Sequence, residues 1–256
     1  MKNDVRYIHE VDVHNLNAPK KVVPLLVNMF KPKSVLDVGC GIGTWLSVFK
    51  ENGIGDILGI DGDYVNRPLL YSHINEQEFK PLDISLPFHL NKKYDLAISL
   101  EVAEHLDESS ATTFVENLCR HSSVIIFGAA VPGQGGQNHL NEQWPEYWTN
   151  IFKSFGYNCY DILRQQIWDD KNVEWWYKQN FFVFSNEKLD DYKPSNSFLS
   201  LIHPEHFNQK VKYIQEFHNE IYELKRKLES WENGKGGIKR SLNVFLKSLS
   251  NKISKK

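Results

Sequence analysis

Two acidic residues and two histidines fall where a chemical site is expected. Glu101 ends an apolar run, Glu104 and His105 follow it in E-x-x-E-H spacing, and His139 comes after the next apolar run. Because the carboxyl ends of neighbouring strands meet at one edge of an α/β sheet, we expect these side chains to converge. Two carboxylates and two imidazoles suit a divalent cation such as Mg²⁺, with water or substrate oxygens completing its shell. A site without metal, in which His105 is the general base, and a purely structural role are the alternatives.

A glycine-rich turn lies ahead of this cluster in the chain. It reads D-x-G-x-G-x-G, with Asp37 ahead of Gly39, Gly41 and Gly43, and it follows an apolar, β-branched run. Glycine lets the backbone turn sharply and approach a ligand closely, and the helix that follows presents unpaired N–H groups. Asp61 lies 20 residues beyond Gly41. At this spacing, nucleoside-binding α/β folds place a carboxylate on ribose hydroxyls.

These motifs, in this order, resemble the class I S-adenosylmethionine-dependent methyltransferases. The segment 79–84 is similar to the family's third element, and 94–101 is similar to its fourth strand. The resemblance covers roughly residues 20–185 and implies an α/β fold, a Rossmann-like doubly wound sheet of the seven-stranded methyltransferase type. It implies S-adenosylmethionine as the cofactor, with the glycines at its methionine end, Asp61 at the ribose and an acid with its neighbour at the adenine. The implied cofactor residues are Asp37, Gly39, Cys40, Gly41, Gly43, Asp61, Asp83, Ile84 and Glu101.

The E-x-x-E-H cluster with its later histidine resembles a known kind of metal site. It is similar to the site of small-RNA 2′-O-methyltransferases and to that of ubiquinone-pathway O-methyltransferases. In those families the cation grips neighbouring hydroxyls of the acceptor and lowers the pKa of the one that is attacked. The resemblance implies Glu101, Glu104, His105 and His139 as metal ligands, with Glu104, His105 and His139 as catalytic residues.

An aromatic and polar stretch follows the cluster. Five of the seven tryptophans lie between residues 135 and 184, among Asn, Gln, Asp and Arg side chains. Aromatic rings can stack on the C–H face of a sugar while polar groups bind its hydroxyls, although such aromatics can equally be core. The stretch resembles one in bacterial methyltransferases of polysaccharide and glycosylation functions. The predicted substrate residues are Gln137, Asn138, Asn141, Trp144, Arg164, Trp168, Trp176 and Tyr177.

Together these features predict O-methylation of a sugar hydroxyl on a glycan or a glycan precursor. The alternatives are O-methylation of a small phenolic or quinone-like metabolite, an RNA 2′-O-methyltransferase, and a non-catalytic scaffold that has kept the cofactor fold. The net charge of −2 and the absence of an evident basic stripe argue against a nucleic-acid partner.

The apolar pattern predicts the elements that position these residues. A helix with Pro19 in its first turn should precede the glycine turn, and strands are expected at 56–61, 94–101 and 122–129, with a final strand at 179–184. We expect a methyltransferase domain over 1–192, a long helix within 193–233 and a separate tail over 234–256.

The two C-terminal segments each leave two interpretations. Over 204–232, apolar residues recur with nearly heptad spacing, which is typical either of a helix packed on its own domain or of a short dimerising coiled coil. The tail over 234–256 carries seven Lys and Arg and no acidic residue, which suits an amphipathic helix on an anionic membrane or a solvated tail. Three scattered cysteines, no signal-peptide core and no membrane-spanning run predict a cytoplasmic protein, with the tail at the inner membrane surface in the first case.

Overall fold

The computed structural model describes residues 14–195, 199–232, 242–244 and 246–247. They belong to two compact units, residues 1–203 and 204–256. The strands of the first unit are β1 (Ser34–Val38), β2 (Asp56–Asp61), β3 (Phe79–Pro81), β4 (Leu96–Leu100), β5 (Val124–Gly128), β6 (Asn158–Tyr160) and β7 (Phe182–Ser185). Its helices are α1 (Asn17–Phe30), α2 (Thr44–Glu51), α3 (Arg67–Leu70), α4 (Ala111–His121), α5 (Pro145–Ser154), α6 (Arg164–Ile167) and α7 (Trp175–Asn180), with 3₁₀ turns at Glu76–Glu78, Ala103–His105 and Glu108–Ser110.

The seven strands form one mixed sheet in the order β3-β2-β1-β4-β5-β7-β6. Neighbouring strands are parallel except for β7, which is antiparallel to both β5 and β6. The strand order reverses between β1 and β4, and ligands of doubly wound sheets bind at such a switch point, beyond the carboxyl ends of the strands. The predicted Rossmann-like α/β fold is confirmed.

The sheet is covered on both faces. Successive strand residues point to opposite sides, so Val35 packs in a cluster with residues of α1 and α2, while Leu36 packs in another with residues of α4 and α5. Pro19 lies in the first turn of α1, as predicted. The final strand begins at Phe182, so the predicted start at residue 179 is wrong, because Gln179 and Asn180 are the last residues of α7.

The second unit contains α8 (Pro204–Glu232), a helix of 29 residues that matches the predicted long helix. Most of the predicted basic tail lies outside the described residues, and the described parts, 242–244 and 246–247, are helical. Among the described residues, every helix is too short or too polar to cross a bilayer.

Candidate active site

The glycine-rich turn after β1 is fastened to the end of β2. The backbone amides of Gly39 and Cys40 donate to the carbonyl oxygen of Ile60 at 2.7 and 3.1 Å. The amide of Gly41 donates to Oδ2 of Asp61 at 2.8 Å. Because β1 and β2 are parallel neighbours, the turn and the Asp61 carboxylate lie together at the carboxyl edge of the sheet.

Packing explains the glycine at the first position of this turn. Gly39 has a φ of +87°, a backbone conformation that residues with a side chain rarely adopt. A Cβ atom there would lie 2.4 Å from Cγ2 of Val102, a buried residue that follows β4. The turn is therefore in direct contact with the segment that leads to Glu104 and His105.

Two buried acids accompany the turn. Asp37 in β1 and Asp61 at the end of β2 are both almost fully buried. Burial raises the pKa of Asp37 well above its usual value, and the charge of Asp61 raises it further. Burial also raises the pKa of Asp61, although hydrogen bonds from Gly41, Tyr64 and Gly62 oppose this. Asp61 therefore braces the turn in addition to its predicted place at a ribose.

The predicted adenine residues follow β3 at the same edge. Asp83 is exposed, and its Oδ1 accepts hydrogen bonds from the amide and the hydroxyl of Ser85 at 3.0 and 2.6 Å. Ile84 is buried and packs in the same core cluster as Ile60. The pair thus places a polar group beside an apolar surface.

Glu101 is held by two amide side chains. Its carboxylate accepts hydrogen bonds from Nδ2 of Asn180 at 2.9 Å and from Nε2 of Gln134 at 2.7 Å. Its φ of +58° is unusual for a residue with a side chain, and such strain persists only where the surroundings enforce it. Burial raises the pKa of Glu101 to about 7, against the opposing effect of the two hydrogen bonds.

The structure brings three of the four predicted ligands together. One ligand atom from each of Glu104, His105 and His139 lies within 4.8 Å of the others. The two imidazole rings meet edge to face, with centroids 4.9 Å apart. Glu101 falls outside this group in the described part of the chain, and Asn180 and Gln134 engage its carboxylate, so its place among the ligands stays a prediction.

The carboxylate of Glu104 is the unusual member of this group. The residue is 0% exposed, and among the described residues neither of its carboxylate oxygens makes a hydrogen bond of ordinary geometry. Burial, and then the charge of Glu101, raise the pKa of Glu104 well above its usual value. Burial, and then the charge of His139, lower the pKa of His105 to about 4. A buried carboxylate beside two imidazoles is a combination that a cation would complete.

The loop after β5 closes over Glu104. The amides of Leu140 and Asn141 donate to the carbonyl oxygen of Glu104 at 2.7 and 3.0 Å. These bonds explain how His139, on a loop far along the chain, is fixed beside His105.

A second carboxylate orients His139. Glu142 accepts hydrogen bonds from the amides of Gly133 and Gly135 at 2.7 and 2.6 Å, and it bonds Nδ1 of His139 at 2.8 Å. Burial raises the pKa of Glu142, but the bond to His139 and the two amides outweigh this and hold the pKa below its usual value. An ionised carboxylate can only accept, so Nδ1 of His139 donates and the carboxylate orients the ring.

Gly136 lies against the ring of the same histidine. A Cβ atom on Gly136 would be 2.2 Å from Nε2 of His139, although the φ of this glycine is one that any residue adopts. The absence of a side chain at Gly136 therefore sets the position of the ring.

The predicted substrate residues other than Arg164 form one group that follows β5, near His139, and a second group of aromatic residues further along the chain. Trp144 is 42% exposed, and Gln137 and Asn138 are half-buried beside His139 on the same loop. Asn141 is buried, and its Oδ1 accepts from Gln143 at 2.9 Å. The other three aromatic residues are half-buried and pack against neighbouring rings. These pairs are Trp168 with His203, Trp176 with Trp175, and Tyr177 with Trp45.

Arg164 does not fit its predicted role in substrate binding. It is 1% exposed, and Nε lies 2.8 Å from Oδ1 of Asp161. Nη1 donates to the carbonyl oxygens of Gln179 and Leu199, and the guanidinium lies 4.3 Å from the ring centroid of Phe182. The prediction is corrected, because these contacts use the guanidinium to join α6, α7 and residue 199 inside the fold.

Sequence reasoning missed the roles of Gln134, Asn180 and Glu142. Glu142 lies three residues after His139, and a carboxylate so close to a candidate ligand is a signal that could have been used. Gln134 and Asn180 lie 33 and 79 residues from Glu101. No local pattern reports pairs so distant along the chain.

Comparison with known proteins agrees with this geometry. The family model described as a methyltransferase domain matches residues 12–189, and no curated protein matches the chain. Among solved structures, the sugar N-methyltransferase KedS8 from Streptoalloteichus sp. ATCC 53650 is 15% identical, with a TM-score of 0.54, 73% of this chain covered and 97% of that one. DesVI from Streptomyces venezuelae is 13% identical, with a TM-score of 0.53 and coverages of 71% and 100%.

A third similar structure contains the cofactor. CalS10, an amino pentose methyltransferase from Micromonospora echinaspora solved with S-adenosylmethionine bound, is 13% identical, with a TM-score of 0.52 and coverages of 71% and 99%. These three similarities concern the fold, whereas the family match extends over most of the chain. The protein described above belongs to the methyltransferase-domain family and is an S-adenosylmethionine-dependent methyltransferase.

Proposed function

We propose that this methyltransferase methylates a sugar hydroxyl of a glycan or glycan precursor, assisted by a divalent cation held by Glu104, His105 and His139. The observation that carries the proposal is the Glu104 carboxylate, which is fully buried, lies within 4.8 Å of two imidazoles and receives no ordinary hydrogen bond from the residues that the structure describes. Buried charges are normally paired or bound to metals, because an isolated one is costly. A cation would supply the missing partner and polarise an acceptor hydroxyl.

The cofactor belongs at the glycine turn. Gly39, Gly41 and Gly43 would hold the methionine end. Asp61 would hold the ribose, because its carboxylate can accept further hydrogen bonds besides those from the amides of Gly41 and Gly62. The edge formed by Asp83 and Ile84 would hold the adenine. S-adenosylmethionine, when bound, supplies an electrophilic methyl group. The residues of the chain then have to place the acceptor oxygen in line with that methyl group and remove the proton of the acceptor hydroxyl.

The acceptor belongs at the loop after β5. Glu142 fixes the His139 ring and directs its Nε2 away from the carboxylate. Gln137 and Asn138 offer hydrogen-bonding groups next to that ring, and Trp144 offers an exposed aromatic face. A flat ring beside amides is the combination that sugars bind. KedS8 and CalS10 are a sugar N-methyltransferase and an amino pentose methyltransferase, so proteins of this fold act on sugars.

An assay with and without a chelator distinguishes metal-assisted methyl transfer from general-base catalysis by His105 without a metal. Methyl transfer from labelled S-adenosylmethionine to a panel of sugars, phenols and RNA would be measured before and after exhaustive chelation. We expect transfer to sugars that is lost on chelation and restored by Mg²⁺ or Mn²⁺. Full activity after chelation would assign proton removal to His105 acting alone. A preference for phenols or RNA would replace the proposed substrate class.

A matched pair of variants tests the metal residue directly. Glu104→Gln keeps the shape of the side chain but removes the charge that a cation requires, so we expect activity to fall at least tenfold. Glu108→Gln, at an exposed position four residues later, is the control and should be active. Cofactor binding by calorimetry without transfer to any acceptor would favour the scaffold alternative.

A further inference from the structure

We propose that α8 forms a parallel, two-stranded coiled coil with a second copy of this chain. Apolar residues recur along it with spacings of 3, 4, 3, 4 and 3, which is the a/d pattern of a heptad repeat. The a positions are Ile214, Ile221 and Leu228, and the d positions are Phe217, Leu224 and Trp231. This inference is independent of the proposed substrate, since none of these residues belongs to the candidate active site.

Much of this apolar face is exposed in the single chain. Ile214, Phe217, Leu224 and Leu228 are 55, 63, 56 and 59% exposed. A row of large apolar side chains in water is a liability for solubility. Helices in proteins obtain most of their stability from packing such a face against another element. A covered face is therefore expected, and the sequence of the face indicates what covers it.

The choice of residues at the a and d positions favours two parallel strands. Isoleucine occupies two of the three a positions, Ile214 and Ile221, and leucine occupies one of the three d positions, Leu224. β-branched residues at a with leucine at d are the combination that selects parallel dimers over higher oligomers.

Charged residues beside the seam, which is the row of a and d residues between the two helices, support a second copy in register. Glu220 is at a g position and Lys225 at the following e position, and both are exposed. In a parallel dimer, Glu220 of one copy faces the partner's Lys225, and symmetry makes this pair twice. Along its own helix, Glu220 has acidic neighbours at Glu216 and Glu223, four residues before and three after. The favourable neighbour of Glu220 is thus the one that the partner supplies.

The remaining charges lie on the outer side of the helix. Lys212 pairs with Glu216 at 3.8 Å, and Arg226 pairs with Glu223 at 3.5 Å, all four at c and f positions. These pairs support the helix without competing for the seam. The polar face and the apolar face are therefore arranged as a dimer in water requires, with the apolar face covered by its own copy.

Light scattering on the full chain tests the dimer. We expect twice the 29.8 kDa mass of one chain at micromolar concentration. Glu220→Lys and Lys225→Glu should each weaken the dimer at least tenfold by placing like charges across the seam, and the double exchange should restore it. Glu223→Lys, at an outer position, is the matched control. Because Glu220→Lys improves the charge pattern along its own helix, a loss of dimer would not reflect a weakened helix.

Cysteine cross-linking tests the orientation. In a parallel, in-register pair, Ile214→Cys and Leu228→Cys should each form a disulfide with its own copy, whereas Gln215→Cys, outside the seam, should not. An antiparallel pair brings at most one position of the helix against itself. The native cysteines are buried or half-buried, so background should be low. A monomeric wild-type chain, cross-linking at only one of the two seam positions, or charge variants that dimerise normally would each overturn the proposal.

Discussion

Replacing Gly39 by alanine tests the contact that joins the glycine turn to the candidate metal segment. An L residue in the left-handed region costs about 1–2 kcal/mol. The new methyl group would also lie 2.4 Å from Cγ2 of Val102, and relieving such overpacking costs about 1–3 kcal/mol. We therefore expect Gly39→Ala to lower the free energy of unfolding by about 2–5 kcal/mol, the sum of these two costs.

The chain offers a matched control for the backbone part of this cost. Gly53 has the same φ of +87°, but a Cβ atom there would have nothing within 4 Å. Gly53→Ala should therefore lower the free energy of unfolding only by the conformational cost of about 1–2 kcal/mol. The difference between the two variants measures the contact with Val102. Combining Gly39→Ala with Val102→Ala should recover about 1–3 kcal/mol relative to additivity, because the two residues are in contact.

Urea unfolding followed by tryptophan fluorescence is the assay. Six of the seven tryptophans lie in residues 1–203, so the signal reports the unit that contains the turn. Calorimetry would show in parallel that Gly39→Ala weakens S-adenosylmethionine binding while Gly53→Ala does not. Equal destabilisation by the two alanines, or additivity with Val102→Ala, would refute the close contact.

Three further predictions concern the interior of the site. Gly136→Ala should lower the free energy of unfolding by about 1–3 kcal/mol, because the ring of His139 has to move. The displaced ring should lower methyl transfer at least tenfold, and normal kinetics would contradict this. The raised pKa of Asp37 means that its protonated form contributes stability present below the unfolded pKa and lost as pH rises through the folded pKa. Asp37→Asn should therefore gain stability over wild type as pH rises above about 4, and a pH-independent difference in urea midpoints would disprove this. Asn180→Leu should cost about 1–3 kcal/mol in urea unfolding by stripping Glu101 of a buried hydrogen bond, and an unchanged midpoint would argue against that bond.

The sheet and the meeting of the histidines could be predicted from the sequence for one physical reason. Parallel strands that are neighbours end at the same edge, so the segments that follow β4 and β5 both begin at that edge. That logic placed His105 near His139, and their ring centroids are 4.9 Å apart. It also placed the glycine turn beside Asp61, where a hydrogen bond of 2.8 Å joins the Gly41 amide to the carboxylate.

The side-chain partners could not be predicted in this way. Arg164 was expected to face a substrate because it is charged and lies in an aromatic stretch. It is instead fixed by Asp161, three residues before it, and by the carbonyl oxygens of Gln179 and Leu199. The predicted start of β7 was wrong because Gln179 and Asn180, the two polar residues before the apolar run, carry no periodicity that assigns them to a strand or to the end of a helix.

The two glutamates of the E-x-x-E-H cluster show most clearly what the fold adds. In the sequence Glu101 and Glu104 are equivalent, since both are acidic residues after the same strand. The fold gives Glu101 two amide donors from distant segments. Within the described part of the chain it gives the side chain of Glu104 no donor of ordinary geometry, while two imidazoles lie beside it. A protein can retain a fully buried carboxylate at such cost when something else satisfies it. In the proposed function, a cation takes that place, so Glu104 rather than Glu101 is the residue on which metal dependence should turn.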